Sequence, residues 1–259
     1  MSLLRIWVIA RHVCLGIIRD RALYLIALYS LVMLAATVLL PQVALAAQDK
    51  IILDVGLTAM HLLILLVVAF IGTGLINQEI EKRTVLTMIA KPVSPMEFVL
   101  GKHLGLSLLL TLLMALMGAI YLGILWLNGI AYSTLSLLLA MGFMLLEMML
   151  LGAIALLLGV ITSSLLATLL TFAVYLAGHL STDILALGQL NENGGLRLAI
   201  RGLYLVLPDL ERFNLRNQAV YGLDWLPPAN QLWVHGGYGV LYTGVLLAVT
   251  GIIFSRRQF

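Results

Sequence analysis

Charge is what this 259-residue sequence has least of: Asp, Glu, Lys and Arg make up 10% of it, against roughly 25% in an ordinary soluble domain. It has a single cysteine, Cys14, so no intramolecular disulfide can form. No H-E-x-x-H and no paired-carboxylate pattern occurs. There is no basic stripe with interleaved aromatics of the kind that tracks a nucleic acid. These absences exclude a disulfide scaffold and the commoner metalloprotease and nucleic-acid-binding designs. What fills the sequence is apolar: 62% of residues are hydrophobic and the mean hydropathy is +1.09. A soluble globule of this composition would have too few polar residues to cover its surface. The chain therefore reads as an all-α polytopic membrane protein, since a helix satisfies its own backbone in lipid.

Six apolar runs are each long enough to cross the hydrocarbon core: 23–45, 55–76, 104–127, 133–160, 165–187 and 233–254. Trp126, Trp225 and Trp233 fall near their ends, where amphipathic rings favour the interface. The stretch around residues 43–48 has the small residues of a signal-peptide cleavage site. The apolar run before it is longer than a leader's core, and about 20 residues precede that run, so it reads as a span. Ten of the fifteen basic residues fall on one side: Arg5, Arg11, Arg19, Arg21, Lys82, Arg83, Lys91, Lys102, Arg256 and Arg257. The positive-inside rule puts that side, with both termini, in the cytoplasm. The net charge of +3 is then a sidedness signal and not a nucleic-acid one.

Three segments lie outside the spans. In residues 1–21, Leu3, Leu4, Trp7, Val8, Cys14, Ile17 and Ile18 recur at helical spacing, with Arg5, His12 and Arg19 on another face. That is the pattern of an amphipathic helix in the membrane interface; a basic leader that only sets topology is the plainer alternative. In residues 188–231, Leu196, Ile200, Leu203 and Leu207 repeat at helical spacing beside Arg197 and Arg201. This predicts an outer amphipathic helix ended by Pro208, with Pro227 and Pro228 breaking the chain before the last span.

The third segment, 77–103, holds most of the remaining polarity. Glu79 to Ala90 are good helix formers, and Pro92 and Pro95 stop that helix. Ser94 is placed to cap a second helix with Pro95 first and Glu97 third, running straight into the third span. Glu79 and Glu81 suit a helix start, or pairing with Arg19 or Arg21, or with basic residues of a partner. Gly101-Lys102 is not a phosphate loop, because Met96 and His103 stand where glycine and Ser or Thr are needed.

The order E-x-E-x-x-T, an apolar stretch, then K-P-V-S-x-x-E-F-x-x-G-K resembles the signature between the second and third spans of type-2 ABC transporter permeases. The nitrous-oxide-reductase maturation permease and related bacterial exporters are among them. Glu79, Glu81, Thr84, Pro92, Val93, Ser94, Phe98, Gly101 and Lys102 carry the match; Pro95 departs from it, where these permeases often have a basic residue. The elbow helix, six spans and long outer segment resemble the type V exporter layout over the whole chain. The resemblance implies one permease domain without its own ATPase site, with ATP and Mg on two partner ATPase subunits and a second permease copy or homologue beside it. It implies a bacterial inner-membrane location, and a coupling role for Glu79, Glu81, Lys82, Arg83, Thr84, Lys91, Pro92, Ser94, Glu97, Gly101 and Lys102. A non-transporting subunit that transmits force or anchors a larger assembly would use the same motifs.

Inside the spans, Glu147 stands out, because a carboxylate at that depth is expensive and turns toward protein or a cavity. It either faces a substrate path or subunit interface, or is protonated and hydrogen-bonded between helices. Met144 and Met148 lie beside it, with Met141. Thioethers bind Cu(I), but methionine at helical spacing is far more often adaptable packing. His179 and Asp183 read as an interfacial polar pair, and His61 and His235 as structural, so no metal role is expected. Gly101 with Gly105, and Ala155 with Gly159, are spaced for close helix packing in a bundle or a dimer. An intramembrane enzyme would need several polar groups converging at one depth, and the sequence displays only Glu147 there.

Overall fold

The computed structural model describes residues 3–17, 23–43, 48–81, 94–181, 184, 195, 198, 200, 202, 204 and 207–256. Among them there are helices and turns but no strand. Helix α1 is Leu3–Ile17 and α2 is Leu23–Val43. Helix α3, Gln48–Val67, continues through a π-helical turn, Val68–Gly72, into α4, Thr73–Glu81. Helices α5, Pro95–Leu127, and α6, Thr134–Ile161, follow. Then come α7, Ser164–His179, the short α8, Arg216–Tyr221, and α9, Ala229–Arg256.

Five stretches are long and apolar enough to cross a membrane: α2, the continuous α3–α4 helix, α5, α6 and α9. The remaining predicted span, 165–187, is represented by the 16-residue α7, which is apolar but shorter. Helical bonding continues past it, with the Ile184 N–H donating to the Leu180 carbonyl. The spans at 55–76 and 104–127 start earlier than hydropathy alone indicated, because polar turns at Gln48 and Pro95 extend the same helices.

Helix α6 is the centre of the bundle and packs against α5, α9, α4, α7 and α8. Two-thirds of its most apolar stretch is buried (67%), against 17% for α2. Helix α2 instead leaves Leu28, Leu31, Leu34, Val38 and Leu39 exposed, a face suited to lipid.

The small residues act within the chain. Helix α1 buries Ile6, Ala10 and Val13 against α5. A methyl group on Gly105 would sit 2.7 Å from the Ala10 carbonyl oxygen and 2.7 Å from Val13 Cβ, and one on Gly101 2.8 Å from Ile9. The close approach therefore depends on both glycines. Gly159 plays the same part for α4, where a Cβ would lie 2.6 Å from the Thr73 carbonyl oxygen. Replacing Gly105 by Val should destabilise the protein by about 1–3 kcal/mol through overpacking. Gly123→Ala, where a methyl group meets nothing within 4 Å, is the matched control. Thermal unfolding in detergent should show a lower midpoint for the first variant and little change for the second.

Candidate functional site: a buried polar group and the polar ends of the spans

Most polar side chains inside this bundle have a partner supplied by another helix, as a low-dielectric interior demands. Three groups result. The deepest gathers around Glu147, 1% exposed at the middle of α6. His179, the last residue of α7, places Nε2 2.8 Å from Glu147 Oε1. His61, fully buried on α3, places Nε2 3.8 Å from the same oxygen and 2.9 Å from the Tyr175 hydroxyl. The second nitrogen of His179, Nδ1, lies 3.1 Å from Glu211 Oε2. Glu211 opens a 3₁₀ turn, Glu211–Phe213. One ligand atom from each of His61, Glu147 and His179 lies within 4.8 Å of the others, the donor set of a metal site.

The turn carrying Glu211 is held by close packing at the end of α7. The Leu210 N–H donates to the Gly178 carbonyl at 3.1 Å, and a Cβ on Gly178 would meet Leu210 at 2.7 Å. Arg212 Nε donates to Asp209 Oδ2 at 2.8 Å, and the Asp209 N–H donates to the Tyr238 hydroxyl at 3.0 Å. Phe213 fills the space beneath, against Phe143 and Tyr238. The hydrogen bond from His179, aided by Asn214, holds the Glu211 carboxyl below its ordinary range. The Asp209 carboxylate pushes the Arg212 guanidinium up in the same way.

The second group surrounds the π turn. The Thr73 and Thr168 hydroxyls lie 2.9 Å apart, and both reach the Ala69 carbonyl. Asn77 Nδ2 donates to the Thr162 carbonyl at 2.6 Å. These contacts tie α4 to the junction of α6 and α7.

The third group borders the 82–93 loop. Ser94 and Glu97 form the expected capping box, each side chain bonded to the other's backbone N–H at 3.2 Å, with Pro95 in the first turn. Lys102 Nζ donates to Glu79 Oε1 at 2.9 Å and lies 5.2 Å from the Phe98 ring centre. Arg5 of α1 lies 3.9 Å from Glu97. Glu79 thus meets Lys102; Arg19 and Arg21, the other partners its sequence position suggests, lie outside the described residues.

Of the sequence-derived site residues, Glu79, Ser94, Glu97, Gly101 and Lys102 are thus brought together where α4, α5 and α1 meet. Lys82, Arg83, Thr84, Lys91, Pro92 and the side chain of Glu81 lie outside the described residues, as do Arg197, Arg201 and Asp183. Met144 and Met148 are buried in the core, while Met141 lines a groove of about 420 Å³ between α5 and α6 with Met114, Gly118 and Leu145. The sequence displays only Glu147 at mid-span depth; the structure brings two histidines to it. The available signal was depth, since His61 and Glu147 each lie near the middle of a span. His61, which the sequence reads as structural, faces Glu147 and Tyr175.

The sequence matches the family described as ABC-2 family transporter protein over residues 17–259. The chain belongs to that family. No curated protein matches it. This ABC-2 permease is a multi-pass membrane component of an ABC transporter, from a family of transmembrane subunits. Membership implies association with ABC ATPase partners.

The buried group predicts an asymmetry. Glu147→Ala removes the carboxylate shared by the buried His61 and the partly buried His179 and should cost about 3 kcal/mol. Asn214→Ala, at the exposed edge of the same cluster, should cost under about 1 kcal/mol. Unfolding midpoints of the two purified variants check this.

Proposed function

We propose that this ABC-2 permease is the membrane half of an ATP-driven exporter and that residues 77–103 are its coupling element. The observation that carries this is the architecture around that loop. It joins α4 to α5, and both of its flanks are anchored: by the Glu79–Lys102 ion pair between the two helices, and by the Ser94–Glu97 capping box. A loop held this way passes a rigid-body push to two long helices rather than absorbing it. A plain connecting loop needs neither anchor.

In this reading the basic, 82–93 end of the bundle faces the cytoplasm, with both termini on that side. Helix α1 lies in the membrane interface as the elbow helix, and α7 with the residues after it makes the sixth span, in a bacterial inner membrane. Two ATPase subunits bind two permease chains, either two copies of this one or one copy and a homologue. ATP and Mg stay on the ATPase subunits, whose closure moves the coupling loops. Helix α4 carries that motion toward the π turn, a point where helix register changes at low cost. The turns between residues 207 and 225 cap the other end of the path.

Two experiments test this. Mild extraction should co-purify an ATPase subunit with the chain; extraction that never yields one argues against the assignment. In proteoliposomes with that subunit, replacing Glu81 and Arg83 together should abolish stimulation of ATP hydrolysis while leaving membrane insertion intact. Undiminished stimulation would move the coupling function elsewhere. Substrate movement separates an exporter from a force-transmitting or anchoring subunit, which would stimulate hydrolysis without transport.

A further inference from the structure

We propose that His61 Nε2, Glu147 Oε1 and His179 Nε2 form a binding site for a divalent first-row transition-metal ion, with Zn²⁺ as the best match. Although the sequence led to no expectation of a metal, four features of the folded site point to one.

The first is convergence. Three helices, α3, α6 and α7, each deliver one ligand atom to a common point, and all three atoms lie within 4.8 Å of one another. Tetrahedral zinc with bonds of about 2.0–2.1 Å needs ligand atoms about 3.3 Å apart. The two separations to Glu147 are 2.8 and 3.8 Å, which bracket that spacing. Shifts of about half an ångström, within side-chain reach, would bring both to that spacing, and the third separation, between the two imidazoles, lies within 4.8 Å.

The second is the donor set. Two imidazoles and one carboxylate are the ligands of open zinc sites, which keep a fourth position for water or another group. The Tyr175 hydroxyl, 2.9 Å from His61 Nε2, stands at the edge of that position. A set with a carboxylate and no thiolate or thioether favours divalent zinc or cobalt over Cu(I).

The third is the outer support. His179 turns Nε2 toward Glu147 and Nδ1 toward Glu211, 3.1 Å away. A carboxylate on the far nitrogen is what fixes ring orientation and basicity in metal-binding histidines. His61 Nδ1 has no such support, being buried with no hydrogen-bond partner among the described residues, and Nε2 is the nitrogen that faces the site.

The fourth is charge. Glu147 and Glu211 together balance a divalent ion. Arg216, which reaches Tyr175, makes a rival arrangement possible in which that guanidinium and a proton on His179 balance the two carboxylates. In the rival, His61 Nε2 is satisfied by the Tyr175 hydroxyl at 2.9 Å and stands 3.8 Å from Glu147 without a bond to it. An ion between these atoms gives His61 Nε2 a ligand's role. It would also pin the Glu211 turn to three helices at once.

Metal binding is independent of the transport assignment, and its test needs no ATPase. The purified full-length chain in detergent, stripped with chelator, is titrated with Co²⁺ and then with Zn²⁺. About one Co²⁺ per chain should bind with the visible d–d bands of a four- or five-coordinate site, and Zn²⁺ should displace it. His61→Gln, Glu147→Gln and His179→Gln should each weaken binding by at least about 100-fold, and Glu211→Gln by about 10-fold. His12→Gln, on the exposed face of α1, should leave it unchanged. Size-exclusion profiles and unfolding midpoints identify any variant that fails to fold, and the wild-type titration stands without them. A wild-type chain that takes up no Co²⁺ overturns the proposal in favour of the protonated arrangement. Binding that persists undiminished in folded His61→Gln and Glu147→Gln variants overturns it as well.

Discussion

In a bundle this apolar, a polar side chain inside the membrane must find its partner inside the protein. Lipid offers no hydrogen bond, so an unpaired group costs several kcal/mol. That constraint organises the interior. Tyr121 donates to the Leu53 carbonyl, Tyr29 to the Gly56 carbonyl, and Thr73 and Thr168 share the Ala69 carbonyl. Apart from the Thr73 bond, which stays within one helix, each joins two helices that apolar packing alone would let slide, because lipid tails solvate leucine as well as another helix does. Register between the spans is therefore set by a few polar contacts and by the glycines that permit close approach. Gly56 serves both purposes: its carbonyl accepts from Tyr29, and its missing side chain makes room for the Tyr121 ring.

The same constraint explains why α6 is central. It carries the most expensive group, Glu147, and so must be surrounded by helices able to pair with it. The partners come from α3 and α7, and the far side of His179 is met by Glu211 from the turns after α7. Those turns bury Leu210, Phe213 and Leu215 in the apolar core of the bundle. They are held where they are by Gly178, Tyr238 and the Glu147–His179–Glu211 chain of contacts. One buried carboxylate thus adds a polar tie to a segment far away in sequence that apolar packing also seats.

Periodicity and hydropathy made the helices legible, because lipid exposure writes itself into long apolar runs. The capping box at Ser94 and Glu97 was legible for a local reason: its spacing needs no knowledge of the fold. The small-residue pairs announced close packing but not its partner. Gly101 and Gly105 meet α1 and Gly159 meets α4, so they serve this chain's own bundle. The histidine–glutamate group was hidden because its members are 86 and 32 residues apart, and only tertiary packing brings them to one point. What the sequence did hold was one titratable group near the middle of each of two spans, and intramembrane titratable groups tend to pair. Met144 and Met148 gave the opposite kind of signal, chemically suggestive side chains that the fold buries as ordinary core.

Helix continuity relates the buried group to the loop at the other end. His61 and Glu79 lie on one unbroken helical path, α3 through the π turn to α4. At 1.5 Å per residue they are about 27 Å apart along the axis. A displacement of either end travels that path without crossing a loop, except at the one turn where the hydrogen-bond register is already loosened. That turn is clamped by Thr168 and faces Ala155, with Gly159 packed on Thr73 just beyond it. A helix that is rigid on both sides of a clamped irregularity has two ways to respond to a push: it moves as a whole, or it shifts register at the irregularity. Which one occurs depends on whether the His61 end is held. A bound ion or a closed ring of hydrogen bonds at Glu147 holds it, and the push is then met at the π turn. On the proposed coupling role of the loop, releasing His61 would let the same push move the whole helix against α6, and the buried group and the loop would then act on each other through this one helix.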